Sequence, residues 1–313
     1  MRSSKLFLLA LLGVVLALPA AAQVNDTYVI PAAANTFGAF NTRWLTQLSI
    51  FNPQLDYELR VSVVFIPSGG AQGLEVAIDI PPNAVFLTDD VLGEVFEVGG
   101  TGSLLIATFP EENPGVPNDI ISRSFLVISN TYNNSSSGTY GQTVPGVWAG
   151  LQDDGITAIA HGIRNIVSQG WRTNVGAVNL GRTNVTMRVT VYDYDGNRIL
   201  REAPFNIPPM AHLQSLLPVQ VDRGAVEFFI DDPSGDAVVF PYTSTIDQLS
   251  GDATYQTPVL LASAGSLYGK KGFDPTKIGT KITTAHARQV RSTTKSIGTA
   301  RLMRKGDKFY VVK

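Results

Sequence analysis

The 313-residue sequence contains no cysteine. That absence removes disulfides, thiolate metal sites and cysteine nucleophiles together, so burial and hydrogen bonds must hold the fold. Histidine is scarce: His161, His212 and His286 fall in three separate regions, with no second His at helical or hairpin spacing. Isolated imidazoles give little from which to assemble a zinc site or a Ser-His-Asp arrangement. A Gly-x-Ser-x-Gly elbow, a phosphate-binding glycine loop and a His-Glu-x-x-His signature are missing as well. The sequence therefore predicts a non-catalytic protein without metal or cofactor.

Charge is unevenly spread. Every lysine except Lys5 lies at or beyond Lys270. From 23 to 265, 24 Asp and Glu stand against 10 Arg, a net −14, whereas 266–313 carries 12 Lys and Arg against Asp274 and Asp307, a net +10. A compositional boundary near residue 265 follows. At the other end, Arg2 and Lys5 precede an apolar stretch over 6–18, and Ala20, Ala21 and Ala22 stand before Gln23. This is the pattern of a signal peptide at 1–22, shorter than the roughly 20 apolar residues of a membrane span. The expectation is a secreted or cell-envelope protein with no transmembrane segment after cleavage.

The body repeats itself. Trp44 to Asn52 (Trp-Leu-Thr-Gln-Leu-Ser-Ile-Phe-Asn) returns as Trp171 to Asn179 (Trp-Arg-Thr-Asn-Val-Gly-Ala-Val-Asn), with Trp and Asn both displaced by 127 residues. Arg60-Val61-Ser62-Val63 matches Arg188-Val189-Thr190-Val191, and Ile80-Pro81-Pro82 matches Ile207-Pro208-Pro209. Gly102 aligns with Gly224, and Tyr140-Gly141-Gln142-Thr143-Val144-Pro145 with Tyr255-Gln256-Thr257-Pro258. Apolar residues alternate or run in short stretches rich in Val, Ile, Phe and Tyr, punctuated by Pro, Gly, Asn and Asp, so the segments read as strands. The predicted fold is all-β: two tandem antiparallel β-sandwich modules from an internal duplication, 23–147 and 148–265, each of about seven strands. A basic extension, 266–313, ends in a hairpin whose arms are Arg301-Leu302-Met303 and Lys308 to Val312. One helical turn capped by Thr88 or Asp89 is expected near 86–92, with a counterpart over 212–219.

Few side chains stand out as functional. Trp44 and Trp171 occupy one position in both copies, which favours plugs for the two cores; exposed, they would suit stacking on a sugar. Asn133 and Tyr140, in or beside the polar loop over 130–138, are further candidate ligand contacts. Trp148 is expected between the modules. Asp193-Tyr194-Asp195-Gly196-Asn197 resembles the opening of a calcium loop but lacks the downstream bidentate Glu, so a hairpin turn is the better reading. The acidic pairs Asp153-Asp154 and Asp231-Asp232 read as solvated turns. In the tail, Lys270, Lys271, Arg304, Lys305, Lys308, Phe309 and Tyr310 form a basic, partly aromatic set suited to an anionic partner. The expected partner is the acidic body, its own or that of another copy, or an anionic surface polymer or polysaccharide. From Lys277 to Lys308 no aromatic residue is interleaved with the basic ones, so specific nucleic-acid recognition is not expected.

A set of motifs carries a resemblance. Ile30-Pro31-Ala32, Trp44-x-Thr46-x-Leu48 running to Asn52-Pro53, Pro67-x-Gly69-Gly70, Asp90-Val91-Leu92, Tyr132-Asn133 and Gly138 to Gln142 resemble a group of exported bacterial tandem β-sandwich proteins. The resemblance spans residues 28 to about 258, implies the fold and the compartment, and carries no catalytic residue across. It departs at Asn179-Leu180, where Asn-Pro is the pattern, and the lysine-rich tail lies outside it. Together these readings give an exported, self-assembling structural or adhesive protein, with a carbohydrate-binding sandwich as the alternative.

Overall fold

The computed structural model describes residues 27–38, 42–109, 111–112, 120–121, 123–135, 138–148, 156–231, 237–262, 301–305 and 308–312. The N-terminal 22 residues, Lys270 and Lys271 lie outside the described residues.

The first half contains β1 (Thr27–Phe37), β2 (Arg43–Phe51), β3 (Leu59–Pro67), β4 (Leu74–Ile80), β5 (Val85–Thr88), β6 (Gly100–Thr108), the short pair β7 (Glu111–Glu112) and β8 (Ile120–Ile121), β9 (Leu126–Ser135) and β10 (Gly138–Pro145). The second contains β11 (Ile156–Asn165), β12 (Trp171–Asn179), β13 (Val185–Tyr192), β14 (Arg198–Ile207), β15 (Ala211–Leu216), β16 (Val221–Asp231), β17 (Val239–Asp247), β18 (Ala253–Gln256) and β19 (Val259–Ala262). Among the described residues all pairings between these strands are antiparallel. The second half forms two sheets, β14-β13-β16-β11-β19 and β15-β12-β17-β18. The first half has the same two orders, β4-β3-β6-β1 and β5-β2-β9-β10, fused into one sheet because the end of β1 also pairs with β2. A hairpin of β20 (Arg301–Lys305) and β21 (Lys308–Val312) stands where the sequence places one.

Each half closes over its own core. Ile30, Leu48, Ile50, Val61, Val63, Phe65, Ile80, Phe86, Leu104 and Ile106 fill the first; Val175, Ala177, Met187, Val189, Val191, Ile207, Val226 and Phe228 fill the second. A third apolar cluster lies between the halves: Val29, Val64, Ile66 and Leu105 from β1, β3 and β6 meet Val178, Leu180, Val238 and Phe240 from the region of β12 and β17. Alternation explains this, because Val63 and Phe65 point into the first core while Val64 and Ile66 point away from it. The molecule is thus a stack of four sheets and three apolar layers. The middle of the two inner layers is covered on both faces, and there consecutive residues are buried, as at Val63 to Ile66 of β3 and Thr173 to Asn179 of β12.

The duplicated Asn explains why the copies fold alike. Asn52, fully buried, has its amide nitrogen 2.8, 3.0 and 3.1 Å from the carbonyls of Tyr57, Ile80 and Pro81, and its carbonyl accepts from the Gln54 N–H at 3.0 Å. Asn179 does the same with Thr183, Ile207 and Pro208 at 2.9, 3.1 and 3.2 Å and with the Gly181 N–H at 2.8 Å. Each side chain braces the Pro-Pro turn after β4 or β14, whose next residue is left-handed in both copies: Asn83 at φ 52° and Met210 at φ 53°. A second repeated device is a threonine pair across the core face, Thr46 to Thr131 at 3.0 Å and Thr173 to Thr245 at 2.8 Å, in matching register.

The helical turn departs from expectation. A π-helical turn at Val91–Val95 is capped by Asp90, which accepts from the Gly93 N–H at 3.0 Å. Thr88 and Asp89 do not cap it, because Thr88 still belongs to β5. The second copy has strand β15 across most of the corresponding segment.

Replacing Asn52 or Asn179 by Ala leaves buried carbonyls and one amide without partners, and each substitution is expected to cost about 3 kcal/mol in urea unfolding. Losses below about 1 kcal/mol at both positions would remove the bracing role.

Candidate functional site

The densest polar constellation lies in the seam between the halves. Ser68, on the exposed turn after β3, has its Oγ 2.6 Å from Nδ1 of His212 on β15 and 2.8 Å from the Thr101 hydroxyl. His212 is 2% exposed, and its Nε2 lies 2.8 Å from the Tyr242 hydroxyl. Tyr242, fully buried, donates to Oε1 of Gln214 at 2.7 Å. With the phenol proton directed to Gln214, the phenol oxygen accepts from Nε2–H, and Nδ1 is left to accept from Ser68. A bridge between Ser68 and His212, with the Gly69 N–H donating to the His212 carbonyl at 3.2 Å, ties the two backbones together.

Stacking reinforces the chain. The His212 and Tyr242 rings stack at 5.9 Å between centroids, and Tyr255 stacks on Tyr242 at 5.4 Å. Gly176, opposite Tyr242 in the β12–β17 ladder, makes room, because a Cβ there would overlap the Tyr242 ring. Burial lowers the His212 pKa to about 4 and pushes the Tyr242 phenol far above its ordinary range. Ser68 beside His212 has the outward form of a nucleophile and its base. Yet the imidazole is a weak base at neutral pH, and its far nitrogen meets a phenol where a carboxylate would be needed to stabilise an imidazolium.

The seam extends to β10, where Oγ of Ser244 on β17 donates to Oε1 of Gln142 at 3.0 Å. A recess of about 240 Å³ beside it is lined by Val147, Trp148, Phe240, Pro241 and Pro258. Trp148 therefore lies against the second half, in the position expected of it.

The sequence-predicted site residues distribute differently. Trp44, Asn133 and Tyr140 fall in one row across β2, β9 and β10. Asn133 is buried and its Oδ1 accepts from the Arg43 N–H at 3.0 Å, so that side chain serves the strand pairing. Tyr140 is half-buried. Trp44 and Trp171 point to the core side of their strands but sit at the ends, half-buried, outside both core clusters. They are end covers rather than the central plugs expected; the guanidinium of Arg164 lies 4.8 Å over the Trp171 ring. Arg304, Lys305, Lys308, Phe309 and Tyr310 lie on β20 and β21.

The Asp193 segment is a hairpin turn. Its carboxylate accepts from the Asp195 and Asn197 amides at 3.0 and 2.8 Å and from the Asn197 side chain at 2.9 Å, which holds its pKa below the usual range. Asp231 of the second acidic pair bonds Arg188 at 2.5 Å. Sequence reasoning missed the role of His212. The available signal was that it stands where the first copy has Val85, in the phase of an alternating strand, and that Ser68 belongs to the Pro67-x-Gly69-Gly70 motif.

No protein-family model matches the chain, and no curated protein does. Among solved structures, β-glucuronidase 2 of Bacteroides uniformis, covalently bound to cyclophellitol-6-carboxylate aziridine, shares 11% identity over 71% of this chain and 26% of its own, with a TM-score of 0.14. Vicilin from Corylus avellana (hazelnut) shares 10% identity over 70% of this chain and 75% of its own, with a TM-score of 0.10. Likeness this slight supports no argument about fold or activity.

His212 yields a pH prediction. Its folded pKa of about 4 lies below the ordinary 6.5, so the unfolded chain binds the proton more tightly. The stabilisation is complete above pH 6.5 and is lost as pH falls towards 4, by roughly 3 kcal/mol at about 1.4 kcal/mol per pH unit. Urea unfolding of wild type and of His212→Gln across this window tests it: the slope should shrink in the variant, and an unchanged slope would assign it to other groups.

Proposed function

We propose that the mature chain is an exported, non-catalytic structural or adhesive protein of the cell envelope or extracellular matrix, which assembles through its basic tail and acidic body. The observation that carries this reading is the charge division: net −14 over 23–265 against net +10 over 266–313, with lysine confined to the tail once Lys5 is removed with the signal. Opposite charges of that size on separate parts of one chain attract between copies and towards anionic polymers. Two further observations support it. The Ser68 and His212 contact is engaged in joining the halves, and Asn133 is committed to the strand pairing, which weakens the carbohydrate alternative.

The test compares residues 23–313 with 23–265 by light scattering at about 50 mM and about 500 mM NaCl, conditions that straddle strong and weak screening. The full mature chain is expected to associate at low salt and dissociate at high salt, and the shortened chain to show no salt-dependent association. Binding to acidic polysaccharide should follow the same pattern. If the full chain shows no salt-dependent association with itself or a polyanion, the tail role fails.

A further inference from the structure

The two halves are stacked head to tail. The outer face of β4-β3-β6-β1 in the first covers the outer face of β15-β12-β17-β18 in the second. The covered face presents His212, Val178 and Phe240 in one cross-strand row and Gln214, Gly176 and Tyr242 in the next. In the first half the same registers hold Val85, Phe51 and Leu126, then Leu87, Ser49 and Ile128. Here the face is open: Val85, Leu87, Leu126 and Ile128 are 42, 52, 37 and 48% exposed. Pro145, opposite Ile128 on β10, extends the second row. A hydrogen-bonded polar row borders it, from Thr143 to Asn130 at 2.8 Å, Asn130 to Gln47 at 3.1 Å and Gln47 to Asp89 at 3.0 Å. An apolar centre with a satisfied polar margin is the anatomy of an interface.

We propose that this face of β5-β2-β9-β10 is a dimerisation surface that takes the same face of a second copy about a two-fold axis. The proposal rests on the assembly reading above and adds to it an apolar contact independent of the tail. A second copy suits the site because this molecule already buries the register-equivalent patch once, against another sheet. Continuing the head-to-tail stack is disfavoured. The face of the second half that would cover the patch replaces the Val64–Leu105 and Ser62–Ala107 pairs with Tyr192–Ala225 and Thr190–Glu227. That face also carries the Arg188–Asp231 ion pair, a Tyr192–Glu227 hydrogen bond at 2.5 Å and Arg198 over the Tyr192 ring. Laying these groups on Leu87 and Ile128 would desolvate charge without compensation. Two copies of the apolar face satisfy each other and form a closed isologous contact.

Four strands at about 4.8 Å spacing and about six residues of about 3.3 Å cover roughly 400 Å² per copy. The roughly 800 Å² buried in total is below that of stable specific interfaces, so the dimer is a weak one, with a dissociation constant of about 100 µM.

Sedimentation velocity of residues 23–313 over about 1–200 µM, at about 1 M NaCl to suppress tail contacts, tests the surface. The expected result is a concentration-dependent dimer that persists in high salt. Leu87→Lys with Ile128→Lys, at positions exposed enough to leave the circular dichroism unchanged, should weaken it at least about 100-fold. Phe229→Lys on the opposite end of the stack should leave it intact. Ser49→Cys, in a chain otherwise free of cysteine, should cross-link to a covalent dimer with no higher ladder. A monomer at all concentrations in high salt overturns the surface even if low-salt association survives, and that outcome leaves the tail reading standing. Disruption by Phe229→Lys, or indifference to the Leu87 and Ile128 substitutions, overturns it as well.

Discussion

The central strands of the two inner layers are covered on both faces, and that constraint organises the rest. A strand covered on both sides must be apolar at consecutive positions, as Val63, Val64, Phe65 and Ile66 are. In the outer sheets, β16 alternates from Gly224 to Asp231. The inner pair provides rigidity without disulfides, because burial is doubled where a single sandwich would have solvent. Polar groups trapped between the layers have to be satisfied among themselves. The chain from Thr101 through Ser68, His212 and Tyr242 to Gln214 is the result: exposed Ser68 and Gln214 flank it and reach water, while His212 and Tyr242 between them are buried.

Duplication supplied two copies of a unit, and divergence assigned them different neighbours. What stayed the same is what each unit needs to close on itself: the buried Asn under the Pro-Pro turn and the threonine pair across the core. What changed lies on the outward faces. In register, Val85 corresponds to His212, Ser49 to Gly176 and Ile128 to Tyr242. One unit therefore has a stacked, hydrogen-bonded surface against its sister, while the other has aliphatic side chains there. Met210, left-handed where its counterpart is Asn83, shows the same priority. Asparagine tolerates that backbone better, but the methionine side chain packs into the seam.

Much of the fold was legible because period-two alternation and turn residues are local signals. β4 and the Asp195-Gly196 turn follow from them directly, and the 127-residue offset reveals the repeat before any strand is placed. The seam was harder, since an apolar run shows that both faces are covered without saying by what. Tyr255 illustrates the limit. It aligns in sequence with Tyr140, yet it pairs with Ser244, the counterpart of Asn130, and so faces the other half instead of following the row of Asn133. Alternation is relative, and a short shift exchanges faces without altering composition. Trp44 and Trp171 misled for a similar reason: repetition showed that the position matters to each unit, but not that it lies at the rim of the core.

The seam also makes the doubling irreversible. A gene trimmed back to one unit would display either Val64, Ile66 and Leu105 or Val178 and Phe240, a bare hydrophobic wall prone to aggregation. Each unit thus shields the wall of the other, and the pair behaves as a single packed object.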